Sequence, residues 1–177
     1  MKNALVILAG GKGTRFGQKT PKQFYKIGGQ SVINIFLSNL DMQSFSLIII
    51  SLNKKYRNLI KIDPILISKS TKIIFSEPGA TRQKSSFNAI KKAKKYNLKN
   101  ILIHDAARPF CSNKLIKKII KSLDKNISAI PYVLNPDKKV ISKKEFNKTI
   151  KLIQTPQGYN FNSIYRSHVN TKLVNAK

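Results

Sequence analysis

Acidic residues are scarce in this chain. Its 177 residues hold seven Asp and Glu against 34 Lys and Arg, a formal charge of +27. Cysteine is scarcer still. A single thiol, Cys111, excludes a disulfide framework and a cysteine-based zinc site. It fits a reducing compartment, so a cytoplasmic location is expected. Long apolar runs are missing too. Stretches such as Leu5–Ala9 and Leu47–Ile50 are far too short to cross a bilayer, and no membrane partner is expected. The apolar N-terminus runs straight into Gly10-Gly11-Lys12-Gly13 with no polar spacer or small-residue cleavage site. It therefore reads as a buried strand rather than a signal peptide. No Ser-His-Asp ordering, no His/Cys metal cluster and no internal repeat is visible. Nothing here looks like a covalent nucleophile, which favours a direct displacement.

Apolar residues make up 41% of the chain, and its length suits one ordinary domain with a sizeable core. Of the basic residues 29 are Lys and five are Arg, and the lysines are spread along the sequence. Two readings stand. A bias toward A/T-rich codons explains such a composition, and so does a polyanion-binding surface. Both imply that an anionic substrate arrives in a favourable field, and nucleic acid is not expected as the partner.

Apolar runs alternate with amphipathic stretches. Strands are expected at Ala4–Leu8, Ser46–Leu52, Lys72–Phe75, Asn100–His104 and Ile127–Leu134. Helices are expected at Val32–Leu40, Thr81–Tyr96, Leu115–Leu123 and Phe161–Leu173. In the second helix Phe87, Ile90 and Ala93 are expected to share the apolar face. This alternation predicts an α/β fold, a three-layer sandwich around a mostly parallel sheet. Residues 135–154 turn short, polar and alternating, the pattern of an antiparallel β-arm.

Ligands in such sheets bind beyond the carboxyl ends of the strands, and three segments fall there. The first is Leu8-Ala9-Gly10-Gly11-Lys12-Gly13-Thr14-Arg15-Phe16-Gly17 with Thr20-Pro21-Lys22-Gln23. Glycines after a strand let the backbone approach a ligand, and free N–H groups cradle phosphate oxygens. Lys12, Arg15 and Lys22 add positive charge, which suits a triphosphate. The P-loop spacing is absent. The dinucleotide fingerprint fails as well, because Gly17 comes one position late and no acid lies between it and Asp41.

The second segment, Gly79-Ala80-Thr81-Arg82-Gln83-Lys84-Ser85, opens a helix with Thr81 as N-cap. Its N–H groups are then offered to an anion or a base, unless they serve capping alone. The third, His104-Asp105-Ala106-Ala107-Arg108-Pro109, ends a buried strand. Asp105 can hold Mg²⁺ bridging phosphates, since this ion takes only one or two protein carboxylates when phosphates supply the rest. Alternatively Asp105 and Arg108 form a structural ion pair. Three of the five arginines, Arg15, Arg82 and Arg108, lie in these segments, where a planar fork grips phosphate better than Lys does. His104 reads as a packed strand residue, and Cys111 has no evident role.

Together with Gln154-Thr155-Pro156-Gln157, these segments resemble the signature of the 2-C-methyl-D-erythritol 4-phosphate cytidylyltransferases. Their near relatives, the ribitol-5-phosphate cytidylyltransferases, are the alternative, and a non-catalytic polyanion-binding protein is a third. The resemblance implies a nucleotide-diphospho-sugar transferase-like fold, CTP and a polyol phosphate as substrates, Mg²⁺, and a homodimer joined through the arm. It makes Arg15 and Lys22 catalytic. It places the nucleotide on Ala9, Gly10, Gly11, Lys12, Gly13, Gly79, Ala80, Arg82, Ser85 and Ala106, with Ala106 at the ribose and Ser85 at the cytosine edge. It places the acceptor on Arg108 and Thr155, and the metal on Asp105.

The sequence also departs from the family pattern. Lys138 follows Asp137 where relatives have Thr, and Asn147 stands where they have Arg. The family runs on for a few dozen residues past the position of Lys177. Residues 1–177 are therefore expected to form a single cytidylyltransferase domain, incomplete at the C-terminus or the start of a bifunctional protein.

Overall fold

The structure is a computed structural model and describes residues 2–11, 20–67, 70–135 and 150–171. In chain order the strands and helices are β1 (Asn3–Leu8), β2 (Lys26–Ile27), β3 (Gln30–Ser31), α1 (Val32–Asn39), β4 (Leu47–Ser51), β5 (Lys72–Ser76) and α2 (Arg82–Ala93). They continue with β6 (Asn100–Asp105), α3 (Asn113–Ser122), β7 (Ser128–Ala129), β8 (Tyr132–Asn135), β9 (Ile150–Ile153), β10 (Gln157–Asn160) and α4 (Phe161–Asn170).

The main sheet has the order β5-β4-β1-β6-β10-β7. Its first four strands are parallel, and β10 runs antiparallel to both β6 and β7. The parallel strands are covered on both faces, as their continuous apolar runs require. Side chains alternate between two cores. Leu5, Ile7, Ile48 and Ile50 pack with Phe36 and Leu37 of α1 and with Ile116 and Ile119 of α3. Ala4, Val6, Leu47 and Ile49 pack on the opposite face with Ala89, Ile90 and Ala93 of α2 and with Phe161 of α4. The expected three-layer sandwich is present. From β1 the chain steps outward through β4 to β5, then returns to the other side of β1 as β6. That reversal opens a crevice at the carboxyl ends of β1 and β6.

Local chemistry sets the ends of the elements. Ser112 and Thr81 cap α3 and α2 by accepting the N–H of Leu115 at 3.2 Å and of Lys84 at 3.1 Å. The tight β2–β3 hairpin needs two positive φ angles in succession, and Gly28 (57°) and Gly29 (82°) provide them. This hairpin was not foreseen from the sequence.

The strand expected over Ile127–Leu134 is divided into β7 and β8. Pro131 sits at the break and has no N–H for a ladder. Phe87 is half-buried and stacks on His168 at 5.2 Å, while Ser86, Ala89, Ile90 and Ala93 form the buried face of α2. Strand β8 pairs antiparallel with β9 from Tyr132↔Ile153 to Asn135↔Ile150. Lys138, Asn147 and the rest of 136–149 lie outside the described residues.

Candidate active site

The crevice holds a cleft of about 750 Å³. Three cations (Lys22, Arg82 and Arg108) and one anion (Asp105) line it, with Gly10, Gly11, Gly79 and Ala80 along the wall. The three sequence segments therefore meet at one place. Lys12, Gly13 and Arg15 lie outside the described residues.

One wall is built by close backbone approach. Gly10 passes Pro78 so tightly that a Cβ on Gly10 would lie 2.2 Å from the proline Cβ. Gly79 is equally confined, with a Cβ falling 2.4 Å from that of Lys84. Both glycines answer a steric demand, whereas a Cβ on Gly11 would meet nothing within 4 Å. Ser85 secures the turn into α2. Its hydroxyl accepts the Gly79 N–H at 2.9 Å and donates to the Thr81 carbonyl at 2.9 Å. Ser85 also lines the cleft.

The far end of the glycine loop is held by a residue that sequence reasoning did not single out. Pro21 starts a single 3₁₀ turn, Lys22–Phe24, that exposes Lys22 and buries Gln23 and Phe24. The Gln23 amide donates to the Ala9 carbonyl at 2.6 Å and to the Gly11 carbonyl at 3.1 Å. Both amide hydrogens are thus committed to the chain leaving β1, which ties the two ends of the loop together. A smaller cavity of about 380 Å³ lies on the other side of this wall, beside Tyr56, and Ala9 lines it.

The opposite wall is the turn after β6. Asp105 receives Arg82 Nε on Oδ1 at 3.0 Å and Arg108 Nε on Oδ2 at 3.7 Å. The ion pair weighed from sequence is present, and Arg82 from the second segment is its nearer partner. Among the described residues no group of three or more His, Cys, Asp or Glu gathers to hold a metal. The donor set at Asp105 is one carboxylate. This suits Mg²⁺ shared with the phosphates of a nucleotide and does not suit an all-protein metal cage.

Ala106 is buried and donates its N–H to the Leu8 carbonyl at 3.0 Å, so Ala107 lines the cleft in its place. The ribose role expected for Ala106 thus falls on a residue whose side chain faces away from the cleft. Arg108 also reaches Gln154 Oε1 through Nη1. Gln154 thereby joins the side chains that hold Arg108, a part the sequence reading did not assign.

Thr155, expected at the acceptor, is buried. Its Oγ1 lies 3.2 Å from His104 Nδ1 and 3.4 Å from the Asp105 N–H. His104 is itself fully buried, as read from sequence, and stacks on Phe36 at 4.3 Å. Burial pushes its pKa down to about 4, so the ring is neutral. Cys111 is half-buried, and burial lifts its thiol to about 11, which leaves it no nucleophilic part.

The family model for 2-C-methyl-D-erythritol 4-phosphate cytidylyltransferase matches residues 3–177. The chain is 37% identical over 174 residues to the bifunctional enzyme IspD/IspF of Pelagibacter ubique, covering 93% of this chain and 45% of that protein. It is 35% identical over 164 residues to the 2-C-methyl-D-erythritol 4-phosphate cytidylyltransferase of Thermosipho africanus, covering 88% of this chain and 72% of that one. Among solved structures, the 4-diphosphocytidyl-2C-methyl-D-erythritol synthase of Anaerococcus prevotii superposes with a TM-score of 0.76 at 27% identity. That match covers 95% of this chain and 75% of the other. The chain thus spans less than half of its bifunctional relative and about three quarters of the others. With that family model matching residues 3–177, the chain belongs to the 2-C-methyl-D-erythritol 4-phosphate cytidylyltransferase family.

Proposed function

We propose that this chain transfers CMP from CTP to 2-C-methyl-D-erythritol 4-phosphate, giving 4-diphosphocytidyl-2-C-methyl-D-erythritol and pyrophosphate. The observation that carries the reading is the convergence of Lys22, Arg82, Arg108 and Asp105 on one cleft beside a glycine wall. An acceptor phosphate oxygen attacks the α-phosphorus of CTP in line. A new P–O bond forms and the bond to the β-phosphate oxygen breaks, with the electron pair leaving on pyrophosphate. No proton has to move, because the attacking oxygen is already anionic. Catalysis is then a matter of positioning and charge neutralisation.

Each wall has a part in this. Gly10, Gly11, Gly79 and Ser85 receive the nucleotide, Lys22 and Arg15 neutralise charge on the transferred phosphate, and Lys12 and Gly13 belong to the loop that cradles the triphosphate. Arg108 faces the acceptor phosphate. Asp105 would hold Mg²⁺ together with the nucleotide phosphates, and the ion would supply further neutralisation there. The exposed side chains of Tyr132, Val133, Leu134, Leu152 and Ile153 on the β8–β9 ribbon support pairing of two chains through the arm. The single cysteine supports a cytoplasmic setting. No helix among the described residues is long and apolar enough to cross a membrane.

The test is pyrophosphate release from CTP and Mg²⁺ with methylerythritol phosphate or ribitol 5-phosphate as acceptor. Release that requires methylerythritol phosphate supports the reading, and preference for ribitol 5-phosphate overturns the choice of acceptor. Lys22→Ala should lower turnover by about a hundredfold or more, the usual effect of losing one transition-state donor worth ~2.7–4 kcal/mol. CTP should still bind the variant. Near-normal turnover removes Lys22 from the mechanism.

A further inference from the structure

We propose that His104 is a positioning residue for the acceptor side of the site, its two ring nitrogens tying the Asp105–Arg108 turn to Thr155. The inference rests on the reading above for the identity of the acceptor, but the tie itself is a matter of geometry.

His104 stands where β6 parts from β10 while it is still paired with Ile7 of β1. The β6–β10 ladder runs from Asn100↔Asn160 to Ile103↔Gln157, and its last paired residue on β6 is the one before His104. Beyond that point the two chains separate, one carrying Asp105 and Arg108, the other Gln154 and Thr155. The His104 side chain spans the gap. Nε2 lies 3.0 Å from the Arg108 carbonyl oxygen, which can only accept, so Nε2 carries the proton. In a neutral ring Nδ1 is then bare and accepts from the Thr155 hydroxyl at 3.2 Å. The same hydroxyl oxygen faces the Asp105 N–H at 3.4 Å. One imidazole thus fixes the Arg108 carbonyl and the hydroxyl of Thr155 in the link between β9 and β10.

The location makes a purely packing role insufficient. His104 is fully buried and stacked on Phe36, where an apolar ring would fill the space equally well. An apolar ring would leave the Arg108 carbonyl and the Thr155 hydroxyl without these bonds. Arg108 is steered from both ends, its backbone through His104 and its guanidinium by Asp105 and Gln154. The nucleotide wall at Gly10 and Gly79 is held by different bonds, those of Gln23 and Ser85. Loosening His104 should therefore disturb the acceptor and spare CTP.

The experiment joins kinetics with a measurement that does not need turnover. His104→Phe keeps a ring against Phe36 and removes both hydrogen bonds. It should raise the acceptor KM by about tenfold or more, with the CTP dissociation constant within about twofold of wild type. His104→Gln returns an amide donor and should recover part of the acceptor KM. In the resting protein, imidazole ¹H–¹⁵N correlation spectra should show the His104 proton on Nε2, and Thr155→Val should shift the Nδ1 resonance. If His104→Phe does not fold, His104→Gln and the spectra decide the matter. A proton on Nδ1, an Nδ1 resonance indifferent to Thr155→Val, or equal losses for CTP and acceptor would each overturn the proposal. If wild-type protein binds CTP but transfers nothing to either polyol phosphate, the functional reading fails on its own. The spectra still decide whether the tie exists.

Discussion

Lowering the pH from 7.5 to 5 should weaken this fold through His104 in particular. The side chain is fully buried, and its folded-state pKa is depressed to about 4 from an ordinary 6.5. Because the folded value lies below the unfolded one, protons bind the unfolded chain more readily. The neutral ring's contribution is complete above pH 6.5 and is lost as pH falls from there toward 4. The gap of about 2.5 units corresponds to roughly 3 kcal/mol in full, of which about 2 kcal/mol is gone by pH 5. That is a large share of the 5–15 kcal/mol typical of a domain. Urea unfolding at pH 7.5, 6.5, 5.5 and 5.0, followed for wild type and His104→Gln, reads the effect directly. Wild type should lose about 2 kcal/mol more than the variant across this range. Parallel losses in both proteins would mean that His104 is not the group responsible and that it is less buried than its stack on Phe36 implies.

Two further substitutions probe the walls of the cleft. Gly10→Ala places a methyl 2.2 Å from Pro78 Cβ. It should cost about 1–3 kcal/mol in urea unfolding and weaken CTP binding measured by calorimetry, whereas Gly11→Ala has open space and should leave stability nearly unchanged. Gln23→Glu removes both donors to the Ala9 and Gly11 carbonyls and sets a carboxylate against them. It should destabilise the protein by about 1–3 kcal/mol and lower cytidylyl transfer through displacement of Lys22. Unchanged kinetics would show that the Lys22–Phe24 turn holds its place without the amide.

The parts of the fold that were legible in the sequence are those where burial dominates. Strands β1, β4, β5 and β6 are nearly unbroken apolar runs, and α3 repeats Leu115, Ile116, Ile119 and Ile120 at helical spacing. The start of α2 was legible because Thr81, a capping residue, stands where the helix begins, whereas the Ser112 cap puts the start of α3 two residues before the expected Leu115. Short elements escaped. The β2–β3 hairpin has two residues per strand and no periodicity to read, and its signal is the Gly28-Gly29 pair alone. Phe87 was expected in the core because hydrophobicity alone placed it there. The small residues Ser86 and Ala89 allow α2 to approach the sheet, and Phe87 turns to His168.

At the site, charge and glycine spacing pointed to Lys22, Asp105, Arg108 and the Gly79 turn, and these residues line the cleft. Gln23, Gln154 and the His104–Thr155 link were less visible. They act on backbone carbonyls or on other side chains brought near by folding, across up to 51 positions of sequence. Thr155 shows the consequence. Its motif led to an expected acceptor contact, while its hydroxyl is engaged inside the protein.

In the proposed function the cationic cleft directs an acceptor phosphate onto the α-phosphorus of a bound nucleotide. Phosphorus NMR of the protein with CTP, Mg²⁺ and methylerythritol phosphate tests this most directly. Free pyrophosphate should appear together, in equal amount, with the paired resonances of a new cytidine diphosphate ester. Pyrophosphate accompanied by CMP would mean that water, not the polyol phosphate, takes the nucleotidyl group. Unchanged CTP would contradict the claim altogether.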